Sequence, residues 1–139
     1  MEIITKSFFI PTKGFTDIVD ITSEVEKVLR ESTLTEGNAL VFASGATAGI
    51  TTIEYEPGLI KDYPEFFESI IPSNRKYHHD ETWNDDNGFS HIRASLQGAS
   101  FTVPFIKNRL LLGTWQQIIL IDFDNRSRKR NIIVQLTGK

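Results

Sequence analysis

The run Thr114–Phe123, Thr-Trp-Gln-Gln-Ile-Ile-Leu-Ile-Asp-Phe, constrains the fold more than any other stretch. It is the longest β-like segment and alternates poorly between apolar and polar residues. A strand of that kind is central in its sheet and covered on both faces. Asp124-Asn125-Arg126-Ser127 follows as a hairpin turn, and Ile132–Thr137 reads as the returning strand. A sheet with cover on both sides needs a sizeable core. At 139 residues the chain suits one domain spanning 1–139, able to bury roughly two thirds of its unfolded surface.

Upstream, Ile3–Ile10 is β-rich and Pro11–Gly14 a turn, with a second short strand over Phe15–Ile21. Ser23-Glu24-Val25-Glu26 has the capping-box form, and Val25, Val28 and Leu29 mark one apolar face, so residues 23–32 form an amphipathic helix. Asn38–Ala43 and Ile50–Tyr55 are strands. The small residues of 44–49 between them allow close approach to a ligand or to another strand. Leu59–Ile71 is helical, broken near its start by Pro64 and ended by Pro72. Residues 73–88 are polar and irregular, a long loop of the functional or mobile kind. Phe89–Leu96 is a short helix stopped by Gly98, with Asp86 or Asn87 near its N-cap and His91 and Ser95 sharing one face. Ala99–Val103 and Arg109–Gly113 add strands. Two helical segments, one short helix and about eight strands give an α+β domain dominated by antiparallel sheet.

The chain has no cysteine, which excludes disulfides, thiolate metal sites and cysteine nucleophiles. A net charge of -3 gives no reason to expect nucleic acid as a partner. No apolar run approaches the ~20 residues of a membrane helix, and the N-terminus lacks a signal peptide's form. The expectation is a cytoplasmic protein without membrane attachment.

All three histidines, His78, His79 and His91, lie within fourteen residues, beside Asp80, Glu81, Asp85 and Asp86. Two imidazoles and a carboxylate suit a divalent ion with water completing the shell, although the spacing matches no standard zinc signature. The same residues serve general acid–base chemistry equally well, since histidine titrates near neutrality; a polar surface loop is the plainer alternative. Gly113-Thr114-Trp115-Gln116 offers a tight backbone, hydrogen bonds and a flat apolar surface, the parts of a pocket for an aromatic heterocycle or of a β-bulge with a core tryptophan. Arg126-Ser127-Arg128-Lys129-Arg130 places four cations in five residues, which can bind phosphate, guard a strand edge or make a subunit contact.

Taken in order, several segments resemble the YjbQ family, also called the secondary thiamine-phosphate synthase family. They are Ala46-Thr47-Ala48 through Glu54, Tyr77-His78-His79-Asp80, Asp86-Asn87-Gly88-Phe89-Ser90-His91-Ile92-Arg93-Ala94-Ser95-Leu96, Thr102–Phe105, Leu112-Gly113-Thr114-Trp115-Gln116-Gln117-Ile118 and the arginine-containing stretch that ends Val134-Gln135-Leu136-Thr137-Gly138. The resemblance implies a largely antiparallel β-sandwich with two to three helices, assembled as a homotrimer. It also implies a cleft holding the matched histidines and carboxylates, and an activity joining a hydroxymethylpyrimidine diphosphate to a thiazole phosphate with release of pyrophosphate. On that reading His79, His91, Glu54 and Asp86 are the catalytic candidates. Trp115 stacks on a ring, Thr47, Asn87, Thr114 and Gln116 hydrogen-bond the substrate, and Arg93 faces a phosphate. Any ion is a zinc on His79 and His91 with Asp86 or Glu54, or a magnesium accompanying the diphosphate. The alternative is a trimer that binds a small molecule or metal without converting it. One departure stands out. Many members carry His-Thr-Thr-Ala where this chain has Gly45-Ala46-Thr47-Ala48, and Asn-Glu where it has Ile53-Glu54.

Overall fold

A computed structural model describes residues 1–139. Its elements are β1 (Glu2–Thr12), β2 (Asp17–Asp20), α1 (Thr22–Arg30), β3 (Glu36–Ala43), β4 (Ala48–Ile53), α2 (Pro57–Ile70), α3 (His78–Trp83), α4 (Gly88–Gln97), β5 (Ser100–Ile106), β6 (Arg109–Leu110), β7 (Gln117–Asp122) and β8 (Arg128–Gly138). The strands form two sheets, ordered β1-β8-β3-β5-β6 and β2-β7-β4. Every pairing is antiparallel. The α+β class and the antiparallel dominance are as the sequence predicts.

β7 is the hinge of the design. It lies between β2 and β4 in the smaller sheet. Because side chains alternate along a strand, Ile118 and Leu120 enter the core against Val41, Val134 and Leu136 of the larger sheet, together with Val25 and Leu29 of α1. Ile119 and Ile121 face the other way and pack with Phe67 of α2, Phe89 of α4, and Phe123. All four isoleucine and leucine side chains are fully buried, each contributing about 1.5–3 kcal/mol relative to exposure. The absence of alternation is thus a strand with a core on each side.

Five expectations need correction. Asp124–Ser127 is not a hairpin turn but the crossing between the sheets, since β7 pairs with β2 and β4 whereas β8 pairs with β1 and β3. β7 starts at Gln117; Thr114–Gln116 form a turn closed by Gln116 N–H donating to Gly113 O at 3.0 Å. α1 is capped by Asp20, not by Ser23: the Asp20 carboxylate accepts from Thr22 N at 3.0 Å and Thr22 Oγ1 at 2.7 Å, while Ser23 Oγ reaches only Glu24. Pro64 does not break α2, which runs unbroken from Pro57 and is capped by the Glu56 carboxylate on Gly58 N and Leu59 N. The stretch read as loop contains α3, so there are four helices.

α3 exists because of Asp80. Its carboxylate accepts from Tyr77 N and from Gly88 N, both at 3.0 Å, tying the first turn of α3 to that of α4. Asn84, in the left-handed region at φ 59°, ends the helix. Gly88 permits the closeness: a Cβ there would lie 2.6 Å from the Tyr77 Cβ.

Candidate functional site

The inward face of β7 reads Ile118, Leu120, then Asp122, continued by Asp124. The inward face of β8 runs the opposite way, Leu136, Val134, Ile132, then Arg130, continued by Arg128. At one end of the sandwich, therefore, the apolar core gives way to two carboxylates facing two guanidinium groups. Asp122 and Asp124 have no exposed surface. Charges this deep persist only when paired and hydrogen-bonded.

They are paired throughout. Arg130 donates to Asp122 through Nε and Nη2, both at 2.7 Å, and to Thr47 Oγ1 through Nη2 at 2.6 Å. Thr12 Oγ1 donates to Asp122 at 2.5 Å, and the Asp124 N–H to the same carboxylate at 3.0 Å. Asp124 accepts from Thr47 Oγ1 and Asn87 Nδ2 at 3.1 Å each and from Arg128 Nε at 2.7 Å. Burial alone would raise the Asp124 pKa, but the hydrogen bonds from Asn87, Arg128 and the Asn125 N–H hold it below the ordinary aspartate value.

The histidines stand at the rim of this cluster. α3 carries His79 and α4 carries His91, one turn after Asn87; the Asp80 tether brings their rings to 4.2 Å between centroids, tilted by 36°. His91 is half-buried. Burial lowers its pKa, repulsion from His79 lowers it further, and Asp124 and Asp85 oppose both. It is therefore a neutral imidazole at neutral pH, able to accept or share a proton. Two buried polar atoms here have no protein partner, His79 Nδ1 and Asn87 Oδ1. Such atoms are uncommon in folded proteins and suit a site that completes its hydrogen bonds with a ligand.

The candidates from sequence divide into three groups. Thr47 and Asn87 hydrogen-bond Asp124, whose charge reaches His91, and His79 lies against the His91 ring. Asp86, exposed and left-handed at φ 55°, opens into a different cavity with Phe15, Glu68 and Phe89. Arg93 borders that cavity too, but its guanidinium is committed: Nε and Nη2 donate to Ile71 O, Nη1 to Thr16 Oγ1 at 3.1 Å, and Nη2 to Glu68 at 2.8 Å. Arg93 ties α4 to the end of α2. Glu54, Thr114, Trp115 and Gln116 lie at the far end of β7. The β4–β7 register pairs Ala48 with Asp122 and Ile53 with Gln117, so Thr47 and Glu54 lie beyond opposite ends of a strand that spans ~17 Å at ~3.3 Å per residue. Within one chain, Trp115 cannot stack on a ring held by His91.

The donor set also bears on a metal. No three His, Asp or Glu side chains gather into an ion-holding group. Two imidazoles lying ring against ring, with Asp86 in another cavity, fit neither zinc's tetrahedral shell nor the oxygen-rich shell of magnesium.

Asp122 and Asp124 are not among the candidates that the sequence offers, and Arg128 and Arg130 appear there only within the basic stretch 126–130. The signal was present in the matched change from apolar to charged on the inward faces of β7 and β8. Arg128 and Arg130, read as phosphate contacts, an edge guard or a subunit contact, turn inward, whereas Lys129 lies over the Phe9 ring outside.

The chain is a small α+β sandwich with helices on both sides of β7 and a paired-charge cluster at one end. The chain belongs to the family described as UPF0047 protein YjbQ-like, which matches residues 6–139. A UPF0047 protein of Methanothermobacter thermautotrophicus is 37% identical over 139 residues, covering 100% of this chain and 95% of the relative. The UPF0047 protein YugU of Bacillus subtilis is 35% identical, covering 96% and 98%. Among solved structures, a YbjQ-like protein of unknown function from Sulfolobus solfataricus superposes with a TM-score of 0.94 at 30% identity, covering 99% of each chain.

Proposed function

We propose that the chain is an enzyme of the thiamine-phosphate synthase type, acting on phosphorylated heterocycles at the end of the sandwich where His91 stands. The observation that carries this reading is the His79–His91 ring pair with two buried polar atoms, His79 Nδ1 and Asn87 Oδ1, left without protein partners beside the Asp124–Arg128 pair. In the reaction a thiazole nitrogen attacks the methylene carbon of a pyrimidine diphosphate. The carbon–nitrogen bond forms as the carbon–oxygen bond breaks, and both electrons of the latter leave with the diphosphate. No proton is lost from the nitrogen, so the protein's task is to stabilise the departing charge. A bound diphosphate raises the pKa of a nearby imidazole, so His91 acquires a proton and shares it with the leaving group. Thr47 and Asn87 hold in place the Asp124 carboxylate whose charge reaches His91.

Self-assembly into a trimer belongs to the same proposal. The outer face of the larger sheet leaves Ile3, Phe9, Phe42 and Ile106 exposed, as is Trp115 on its turn, and exposed apolar surface of this kind suits burial against copies of the chain.

Purified protein given both substrates should form thiamine phosphate, and His91→Ala should abolish the product. Equal turnover by the two proteins would remove the histidine from the mechanism. A ligand captured from metabolite extract and returned chemically unchanged, with no thiamine phosphate formed, would assign the site to binding alone.

A further inference from the structure

The segment between α2 and α3 carries two cations that no carboxylate of the chain neutralises. Arg75 and Lys76 are exposed, and neither forms an ion pair. The segment that presents them is pinned at both ends. Ser73 donates to the Glu68 carboxylate through its N–H at 2.8 Å and through Oγ at 3.0 Å. Tyr77 donates through its hydroxyl to Pro72 O at 2.6 Å and through its N–H to Asp80 at 3.0 Å. The Arg75 guanidinium lies over the ring of the buried Tyr77, 5.0 Å from its centroid. The two charges therefore sit on a short, braced loop, and a ligand that meets them has little of that loop left to order.

Both cations line a cavity of about 380 Å³ that His78, His79 and His91 line with them. No carboxylate lines it, although the chain holds 18 acidic residues against 15 Lys and Arg. The nearest acid to a lining histidine is Glu81, 3.9 Å from His78 and itself outside the lining. The apolar part of the wall is Ile70 and Ile71 at the end of α2 and Ile92 of α4. Ile70 and Ile92 are exposed, so their apolar surface is free to be covered. The volume lies within the roughly 300–1,000 Å³ of small-molecule sites. Two cations and three imidazoles beside aliphatic side chains, with no carboxylate among them, select an anion joined to an apolar body.

We propose that this cavity seats the phosphorylated ligand, with Arg75 and Lys76 taking its phosphate or diphosphate and Ile70 and Ile92 bordering its ring. The inference rests on the reading of the His91 end as the functional site, and it names the cations that neutralise the leaving group. Arg93 is spent on Ile71 O, Thr16 and Glu68, so the phosphate contact moves to the braced loop. His91 offers a departing diphosphate one proton and offsets its charge only in part; a guanidinium and an ammonium supply the rest.

Inorganic pyrophosphate and hydroxymethylpyrimidine diphosphate are the probes, titrated into the full chain by isothermal calorimetry. Wild type should bind both saturably, the pyrimidine compound more tightly. The double variant Arg75→Gln, Lys76→Gln should weaken both by tenfold or more. Ile92→Ala should weaken the pyrimidine compound severalfold and spare pyrophosphate. Lys107→Gln, a loss of one charge on the exposed turn after β5, should change neither affinity. All the altered side chains are exposed, so thermal melts should coincide with that of wild type. Pyrophosphate binding that is absent in wild type, or equally tight in the double variant, overturns the proposal. A loss reproduced in full by Lys107→Gln also overturns it, because net charge alone would then be at work. The two proposals fail separately. Thiamine phosphate formed as fast by the double variant as by wild type removes the cavity and leaves the enzyme. Diphosphate binding that depends on Arg75 and Lys76, with no product from wild type, leaves the cavity and removes the enzyme.

Discussion

The two ends of β7 use similar polar residues to opposite effect. At the Asp122 end the charged side chains are paired with one another, with Asp122 and Asp124 fully buried. At the Gln117 end Trp115 is 72% exposed, and Gln116 spends its amide locally, Nε2 donating to Thr52 Oγ1 and Oε1 accepting from Gly113 N, each at 3.0 Å. A charged residue in the first region answers to the fold, and an aromatic residue in the second answers to whatever approaches from outside. Substitutions at the two ends should therefore differ in kind: one set unfolds the chain, the other alters what it meets.

The largest effect belongs to Asp122→Ala. It leaves the Arg130 guanidinium buried with Thr47 and an Asp124 carboxylate oxygen 3.7 Å away as its remaining partners. Breaking a buried pair in this way costs about 3–5 kcal/mol, read as a lower urea midpoint. Replacing both partners sharpens the test. The double variant Asp122→Leu, Arg130→Leu removes the unpaired charge and should be more stable than Asp122→Ala alone. A double variant worse than the single would mean that the network's value lies outside this pair.

A smaller effect follows from His91. Its folded pKa lies below the ordinary histidine value because of burial and of His79. As pH falls through about 6.5 the unfolded chain takes up this proton before the folded chain does. Stability contributed by the neutral imidazole is present above that pH and declines below it, down to the folded pKa. Asp124 does not blur the window, since its pKa is lowered from 3.8 and its loss comes at more acid pH. Urea midpoints at pH 7.5 and 5.5 should differ more for wild type than for His91→Gln. Identical differences would place the acid sensitivity elsewhere.

What the sequence disclosed follows the same division. The strands are legible because β7 and β8 bury long apolar runs whose periodicity is local. The family is legible because Ser-His-Ile-Arg-Ala-Ser and Leu-Gly-Thr-Trp-Gln occur at the right separation. α3 is not legible: it has no buried residue and no apolar stripe, and its stability comes from a carboxylate bonded to Gly88 in the next helix. Arg93 was misplaced for a related reason. Its acceptors at Ile71, Thr16 and Glu68 are distant in the chain, so nothing local marks the guanidinium as spent. Thr47 and Asn87 were found by resemblance, whereas the Asp124 that organises them required the face pattern of two strands to be compared. Glu54 and Trp115 are near the histidines in neither sequence nor space.

The smallest effect on the protomer belongs to Trp115→Ala, and its smallness is informative. The ring packs in neither core cluster, and surface substitutions away from special features stay within about 0.5 kcal/mol. The urea midpoint of a dilute sample should hardly move. If the turn meets another copy of the chain, the loss appears in assembly instead: wild type should sediment at about three times the 15.8 kDa chain mass, and the variant should dissociate at higher protein concentration. A clean wild-type monomer at low micromolar concentration ends the trimer proposal. A wild-type trimer unaffected by Trp115→Ala keeps the assembly but moves its contact to the sheet face of Phe9 and Phe42. In that case the exposed tryptophan is free to meet a small molecule, and the contrast between the ends of β7 becomes one between the fold's charge cluster and a second binding surface.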